Sequence, residues 1–134
     1  MTKTYILDSF SLLAFFQKEV GGETVKNLLL KAKKKEIFLY FSEINLGEVY
    51  YIAIRDWGLE KAQKLLAGIY ELPINLVLPK RENILQAGEF KSKGNISYAD
   101  CFVLDLAEKY DGTVVTGDRE FKKFLKKDKI LWIG

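Results

Sequence analysis

Apolar residues along the chain fall into two kinds of run that alternate with one another. Short, β-favouring runs predict strands at Tyr5–Leu7, Ile37–Phe41, Ile74–Leu78, Thr113–Thr116 and Ile130–Ile133. Between these runs the apolar residues recur at helical spacing, over segments long enough for the crossovers that parallel strands need. The pattern predicts a three-layer α/β/α domain around a central parallel sheet of four to five strands.

Glycine, proline and small polar residues mark where the helical segments begin and end. Ser42 and Ser97 suit N-cap positions, and Gly58 and Gly112 suit helix ends. The predicted helices are Ser9–Phe16, Glu23–Lys35, Ser42–Trp57, Leu59–Leu72, Arg81–Ser92, Tyr98–Tyr110 and Glu120–Lys127. No internal repeat divides the chain, so residues 1–134 are expected to form one domain.

Composition excludes several classes of enzyme. The chain has no histidine, which removes Ser/His/Asp hydrolysis, histidine acid–base cleavage of RNA and the usual zinc hydrolase sites. Cys101 is the only cysteine, so an internal disulfide or a multi-cysteine zinc site is impossible. With no apolar run long enough for a signal or a membrane helix, we expect a cytoplasmic protein. Any hydrolysis must then be carried by carboxylates, hydroxyls or lysines.

Four acidic residues are placed so that they could meet at one edge of the predicted sheet. Ligands of parallel sheets bind beyond the carboxyl ends of the strands. Asp8 follows the first strand and Asp118 follows the fourth. Asp100 lies in the first turn of the helix that Ser97 opens, and Glu48 lies one or two turns into the helix after the second strand. We expect the four carboxylates to point into one crevice.

Ordinary structural roles compete with this interpretation at each position. Asp118 could be only an N-cap, and Asp100 could complete a capping pattern with Ser97. Glu48 is harder to explain in this way, because its helix is apolar nearly all round and a buried carboxylate needs a partner. Asp105 lies about 140° around the helix from Asp100 and should face elsewhere.

A single metal site explains the four acidic positions together. Two carboxylates about 4 Å apart repel by about 4 kcal/mol at an effective dielectric constant of 20. Such a cluster needs cations or raised pKa values to be stable. Ligands that are all oxygen atoms indicate a hard ion, Mg²⁺ or Mn²⁺, rather than zinc.

The ordered set of motifs around these acids resembles the PIN-domain ribonucleases, in particular the small VapC-like toxins. The matching segments are Ile6–Ser9, Asn45–Val49, Ser97–Cys101 and Val115–Phe121. The resemblance implies that Asp8, Glu48, Asp100 and Asp118 bind metal and that Ser9, Asn45 and Thr116 support them. It also implies hydrolysis of RNA with Mg²⁺ or Mn²⁺, frequent homodimers and inhibition by a small antitoxin. Gly117 departs from the pattern, since other members often carry a larger residue there.

Other classes of protein fit the sequence less well. A receiver-type signalling domain needs paired acids after the first strand, and a haloacid-dehalogenase-like phosphatase needs a second aspartate where Phe10 stands. An RNA-processing nuclease of the same fold, or a catalytically weak RNA-binding module, is an open alternative. The lysine clusters at Lys31–Lys35 and Lys122–Lys129 would suit a polyanion beside a carboxylate site. The candidate contacts to an RNA backbone are Lys80, Arg81, Lys91, Lys93, Arg119 and Lys122.

Overall fold

Five parallel strands form one sheet in the computed structural model, which describes residues 2–134. The strands are β1 Lys3–Leu7, β2 Ile37–Ser42, β3 Asn75–Val77, β4 Thr113–Thr116 and β5 Ile130–Trp132. Their order across the sheet is β3-β2-β1-β4-β5, and every neighbouring pair is parallel. The predicted parallel sheet is confirmed. Because β1 is the central strand, the residue that follows it lies in the middle of the carboxyl edge.

Six α-helices connect the strands or extend the connections. They are α1 Ser9–Gln17, α2 Gly22–Lys33, α3 Glu43–Trp57, α4 Leu59–Tyr70, α5 Arg81–Lys91 and α6 Tyr98–Tyr110. The prediction of a helix over Glu120–Lys127 was wrong. That stretch contains a 3₁₀ helix at Arg119–Lys123, and a second one, Lys127–Lys129, begins at its end. Lys126 adopts an extended backbone between them, and such short connections are typical places for 3₁₀ geometry.

The sheet separates two hydrophobic cores, one on each face. Leu7 and Leu39 face a core filled by α1 to α4, whereas Ile6 and Val114 face a core filled by α5 and α6. Successive residues of a strand point to opposite faces, which explains why Ile6 and Leu7 belong to different cores. Phe121 of the first 3₁₀ helix is fully buried in the second core. The predicted α/β/α layering is confirmed.

That residues 1–134 form a single domain stays a prediction, and Met1 lies outside the described residues. Both cores share the one sheet, so neither layer could be separated without exposing a strand face. Within residues 2–134, no helix is both long and apolar enough to cross a membrane.

Candidate metal centre

Both carboxylate oxygens of Asp8 accept hydrogen bonds that fix the side chain. Asp8 follows β1 as the N-cap of α1, where Oδ1 accepts a 2.8 Å hydrogen bond from the Ser11 amide. The Ser11 hydroxyl accepts in return from the Asp8 amide at 3.1 Å, which completes a capping box. Oδ2 accepts from the Thr116 hydroxyl at 2.5 Å. Asp8 is therefore the N-cap of α1, and its side chain is also hydrogen-bonded to Thr116 at the end of β4.

Thr116 joins the ends of β1 and β4. This threonine is fully buried, donates its hydroxyl proton to Asp8, and accepts a 2.9 Å hydrogen bond from the Asp118 amide. Asp118 then caps the first 3₁₀ helix, with Oδ1 accepting from the Glu120 amide at 2.9 Å. The predicted N-cap role of Asp118 is confirmed. That role occupies Oδ1 and leaves Oδ2 for another ligand.

The Asp100 carboxylate does not accept the hydrogen bond from the Ser97 amide that a capping box at this spacing requires. The Asp100 amide does donate to the Ser97 hydroxyl, at 3.1 Å. The reciprocal bond, however, runs from the Ser97 amide to Oε2 of Glu120, at 3.3 Å. The hypothesis that the Asp100 carboxylate completes a capping box was wrong, because Glu120 takes that place. The Asp100 side chain is buried in the first turn of α6 and does not cap the helix.

Glu120 joins Asp100 and Asp118 in a group of carboxylates that could hold a metal ion. One oxygen from each of the three residues lies within 4.8 Å of the other two. Sequence reasoning missed Glu120, because a glutamate in the first turn of a helix is an ordinary feature of any helix. Its position two residues after Asp118 was the only available signal.

Glu48 approaches the same edge from α3 and is positioned by Ser9. The Ser9 hydroxyl donates a short hydrogen bond to Oε1 of Glu48, and it also lies 3.4 Å from the Asn45 carbonyl oxygen. Asn45, fully buried, donates from Nδ2 to the Ala99 carbonyl at 3.2 Å and so connects α3 to the start of α6. Glu48 itself is half-buried rather than buried as expected. The partner that the Glu48 carboxylate was expected to need is the hydroxyl of Ser9.

Burial and mutual repulsion raise the pKa values of two of these acids. Burial raises the pKa of Asp8 to about 6, even though hydrogen bonds from Thr116 and Ser11 oppose the rise. Burial likewise raises the pKa of Asp100 to about 8. Neighbouring carboxylates raise the pKa of Asp100 further, and they are those of Asp8, Asp118 and Glu48. The charges of the other three acids predicted from the sequence thus act on Asp100, although only Asp118 lies with it in the group within 4.8 Å.

Positive side chains do not neutralise this cluster within residues 2–134. The three ion pairs found there join Arg55 to Asp56, Lys64 to Glu60 and Lys129 to Asp111, and none includes a site acid. A group of carboxylates that is partly buried and has no cationic partner is the environment that a divalent cation stabilises. Its donor atoms are all oxygen, which matches Mg²⁺ or Mn²⁺.

Asp105 and three of the basic residues considered in the sequence analysis have different surroundings. Asp105 is buried and lies near the Asn83 side chain of α5, so it lies outside the site as expected. Lys91 is already engaged, since Nζ donates to the Ile96 carbonyl at 2.8 Å. Arg119 is exposed directly after Asp118. Lys122 lies over an aromatic ring, 4.0 Å from the centroid of Trp132.

Several solved structures with the same fold are VapBC complexes or a VapC toxin. The chain is similar to VapBC2 from Rickettsia felis, solved with a promoter DNA fragment, at 19% identity over 96% of each chain and a TM-score of 0.71. It is also similar to VapC20 from Mycobacterium tuberculosis, a sarcin-ricin loop cleaving toxin, at 18% identity, 89% and 93% coverage and a TM-score of 0.70. DNA-bound VapBC from Salmonella typhimurium gives 18% identity, 97% and 96% coverage and a TM-score of 0.67. At these identities the likeness concerns the fold.

Comparison by sequence identifies the family. No curated protein matches the chain by sequence. The family model of the PIN domain, in contrast, matches residues 5–127 and so spans the sheet from β1 to β4 with all six helices. Since this match covers most of the sequence, and solved structures of the same fold align over nearly the whole chain, the chain belongs to the PIN-domain family.

Proposed function

We propose that this PIN-domain protein is a metal-dependent endoribonuclease and that it acts as the toxin of a toxin–antitoxin pair. The observation that carries the proposal is the approach of Asp100, Asp118 and Glu120 to within 4.8 Å of one another at the edge where Asp8 is buried. Carboxylates this close, with no ion-pair partner among residues 2–134, favour a divalent cation. A divalent cation beside a basic surface is a common arrangement for cleaving phosphodiesters.

Asp8, Asp100 and Asp118 would hold the ion, with Glu120 as a further ligand. Asp118 and Glu120 follow β4, Asp8 follows β1, and Asp100 begins α6, so the ligands come from three separate segments. When bound, Mg²⁺ or Mn²⁺ supplies activation of the water nucleophile and compensation for the charge that develops on the phosphate. Thr116 fixes two of the ligands, because it bonds to Asp8 and to the backbone of Asp118.

Glu48 has the position of a group that orients the attacking water. Ser9 holds one of its carboxylate oxygens, and the half-buried side chain leaves the other able to accept a hydrogen bond. A fixed acceptor whose charge acts on Asp100 would align water for in-line attack. Arg119, exposed beside Asp118, can contact the backbone phosphate of the substrate.

The function is tested by incubating the purified protein with a mixed RNA pool in Mg²⁺, in Mn²⁺ and in chelator. We expect cleavage in one or both metals and none in chelator. Cleavage that persists in chelator would contradict the metal-dependent mechanism. RNA that is bound but never cut in any metal would favour the RNA-binding module over the nuclease.

The toxin role is supported by the solved structures of the same fold, several of which are VapBC assemblies. A toxin of this kind requires a small antitoxin, and the resemblance also implies a homodimer. Expression of the chain alone should arrest growth of the host, and co-expression of a neighbouring small open reading frame should relieve the arrest. Normal growth with an active nuclease would instead favour an RNA-processing role. Light scattering of the purified chain tests the dimer.

Replacing Thr116 by valine is expected to lower cleavage by about 10- to 100-fold, as loss of an outer hydrogen bond to a metal ligand commonly does. Valine keeps the shape of threonine but removes the bonds to Asp8 and to the Asp118 amide. Thr116→Ser should retain most activity because it keeps the hydroxyl. Thr113→Val is a matched control, since Thr113 is also buried but begins the same strand. Equal activity of the two valine variants would contradict the positioning role.

A further inference from the structure

An exposed tryptophan lies on the strand beside the candidate metal centre. Trp132 is the last residue of β5 and pairs in register with Thr116 of β4. Its side chain lies on the same face of the sheet as Ile130, which packs with α6 and Phe121. Neighbouring strands are about 4.8 Å apart. The indole, 38% exposed, is therefore one strand away from the threonine that holds Asp8 and Asp118.

Two glycines allow the ends of β4 and β5 to approach closely at this point. A Cβ atom on Gly134 would come within 2.6 Å of the Trp132 ring, so the indole packs directly on the Gly134 backbone. A Cβ atom on Gly117 would lie 3.0 Å from the Gly134 Cα atom. A larger residue at Gly134 would displace the indole, whereas one at Gly117 would clash first with the Phe10 ring. The departure of Gly117 from the family pattern thus has a structural effect in this chain.

Lys122 lies over the same indole ring. Its Nζ atom is 4.0 Å from the ring centroid, closer than in the other three lysine–aromatic contacts among residues 2–134, which measure 5.3 to 5.7 Å. Lys122 is exposed and takes part in none of the ion pairs of the described chain. It follows Asp118 by four residues, which in 3₁₀ geometry is roughly 8 Å of axial rise. The Lys122 ammonium group thus contacts the indole ring and belongs to the 3₁₀ helix that Asp118 caps.

A groove of about 490 Å³ lies beside this contact. Its lining consists of Lys122, Leu125, Lys127, Ile130 and Trp132. No acidic residue is among the five, although the carboxylates lie on the adjacent strand end. The lining thus combines two ammonium groups, two aliphatic side chains and one indole. This combination matches a ligand that is both flat and anionic, which describes a nucleotide.

We propose that Trp132 and Lys122 form a nucleotide subsite, in which the indole stacks on one unpaired base of the RNA and the ammonium contacts the phosphate of that nucleotide. This inference rests on the proposed nuclease function. In the free protein Lys122 covers the ring; with RNA bound it moves to the phosphate, and the base takes its place on the indole. Bases inside a duplex are stacked on one another, so the subsite selects single-stranded segments next to the scissile bond.

Binding can be measured without cleavage through the fluorescence of Trp132. The chain has two tryptophans, so a Trp57→Phe, Asp100→Asn variant keeps Trp132 as the only one and is expected not to cut RNA. A single-stranded RNA 10-mer should quench this fluorescence to saturation, and the same strand in a duplex should quench it far less. Binding of the 10-mer detected by anisotropy without quenching would overturn the stacking. Equal quenching by the duplex would overturn the selection of unpaired bases.

Kinetics on a short single-stranded substrate give the second test. Trp132→Ala and Lys122→Ala should each raise KM by about tenfold and change kcat by less than about threefold, and Trp132→Phe should restore most of the affinity. The controls are Tyr70→Ala, another exposed aromatic residue, and Lys109→Ala, which lies over Tyr110. Variants that behave like these controls in an active nuclease would overturn the subsite alone. A wild-type protein that does not cleave would overturn the proposed function, and the fluorescence titration would still decide the subsite.

Discussion

Replacing Asp100 by asparagine is expected to lower RNA cleavage by about 1,000-fold and, in the absence of metal, to stabilise the protein. The loss of activity follows from removal of a charged ligand at the centre of the acidic group. The gain in stability follows from the raised pKa of Asp100, about 8, which reflects the cost of a buried charge among other carboxylates. Asparagine has a similar shape and carries no charge. At pH 8 without metal, the free energy of unfolding should rise by several kcal/mol.

Asp105→Asn is the matched control for this prediction. Asp105 lies on the same helix, is 7% exposed like Asp100, and also has a pKa raised by burial. Its contacts are with Asn83 of α5, away from the acidic group. The control should cleave RNA at the wild-type rate. Chemical denaturation in chelator and a cleavage assay in Mn²⁺ measure the two effects, and an Asp100→Asn variant as active as the control would contradict the assignment of Asp100.

Without metal, the free energy of unfolding should fall as the pH rises from about 4 to about 9. The pKa values of Asp8 and Asp100 in the folded protein, about 6 and about 8, lie above the value of about 3.9 for an unfolded chain. Below pH 4 both states bind these protons, and the folded protein has its full stability. As the pH rises from about 4 through about 6 and then about 8, the unfolded chain has already released these protons while the buried carboxyls of the folded protein still hold them, so stability is lost over this range.

Divalent metal should reverse this trend, because its ligands must be deprotonated before they bind. Saturating Mg²⁺ or Mn²⁺ should raise Tm strongly at pH 8 and little at pH 5. Subtracting the profile of an Asp8→Asn, Asp100→Asn double variant removes the contribution of all other titrating groups. If Mg²⁺ raised Tm equally at both pH values, or equally in the double variant, these two carboxylates could not be the site of binding.

The fold could be predicted well because its signals are local. Each strand is a short apolar run, and each crossover is a helix with recognisable ends, so the position of Asp8 and Asp118 at the carboxyl edge followed from a general rule of parallel sheets. The exception was Glu120–Lys127. Its lysines and phenylalanines fit a helical pattern, but burial of Phe121 and the extended backbone at Lys126 produced two 3₁₀ turns instead.

The candidate site was predicted less completely because its finer contacts connect residues that are distant in sequence. Whether Asp100 or Glu120 receives the Ser97 amide depends on a contact across 23 positions, and no spacing rule decides it. The same holds for Ser9, which reaches Glu48 across 39 positions. The contact of Lys122 with Trp132 was equally hidden, because the two residues belong to different elements that the sheet brings together.

The hydrogen bond between Thr116 and Asp8 joins residues 108 positions apart, and it bears on when the activity first appears during synthesis. A growing chain places Asp8 outside the ribosome early, but Asp118 and Glu120 emerge only after nearly all of the sheet has been made. Until β4 inserts beside β1, the ligands are not together, and an incomplete chain has no nuclease site. A nuclease of the proposed kind would thus be inactive until β4 has been made and has folded beside β1. The interval between release and completed folding is the time in which a partner could capture it.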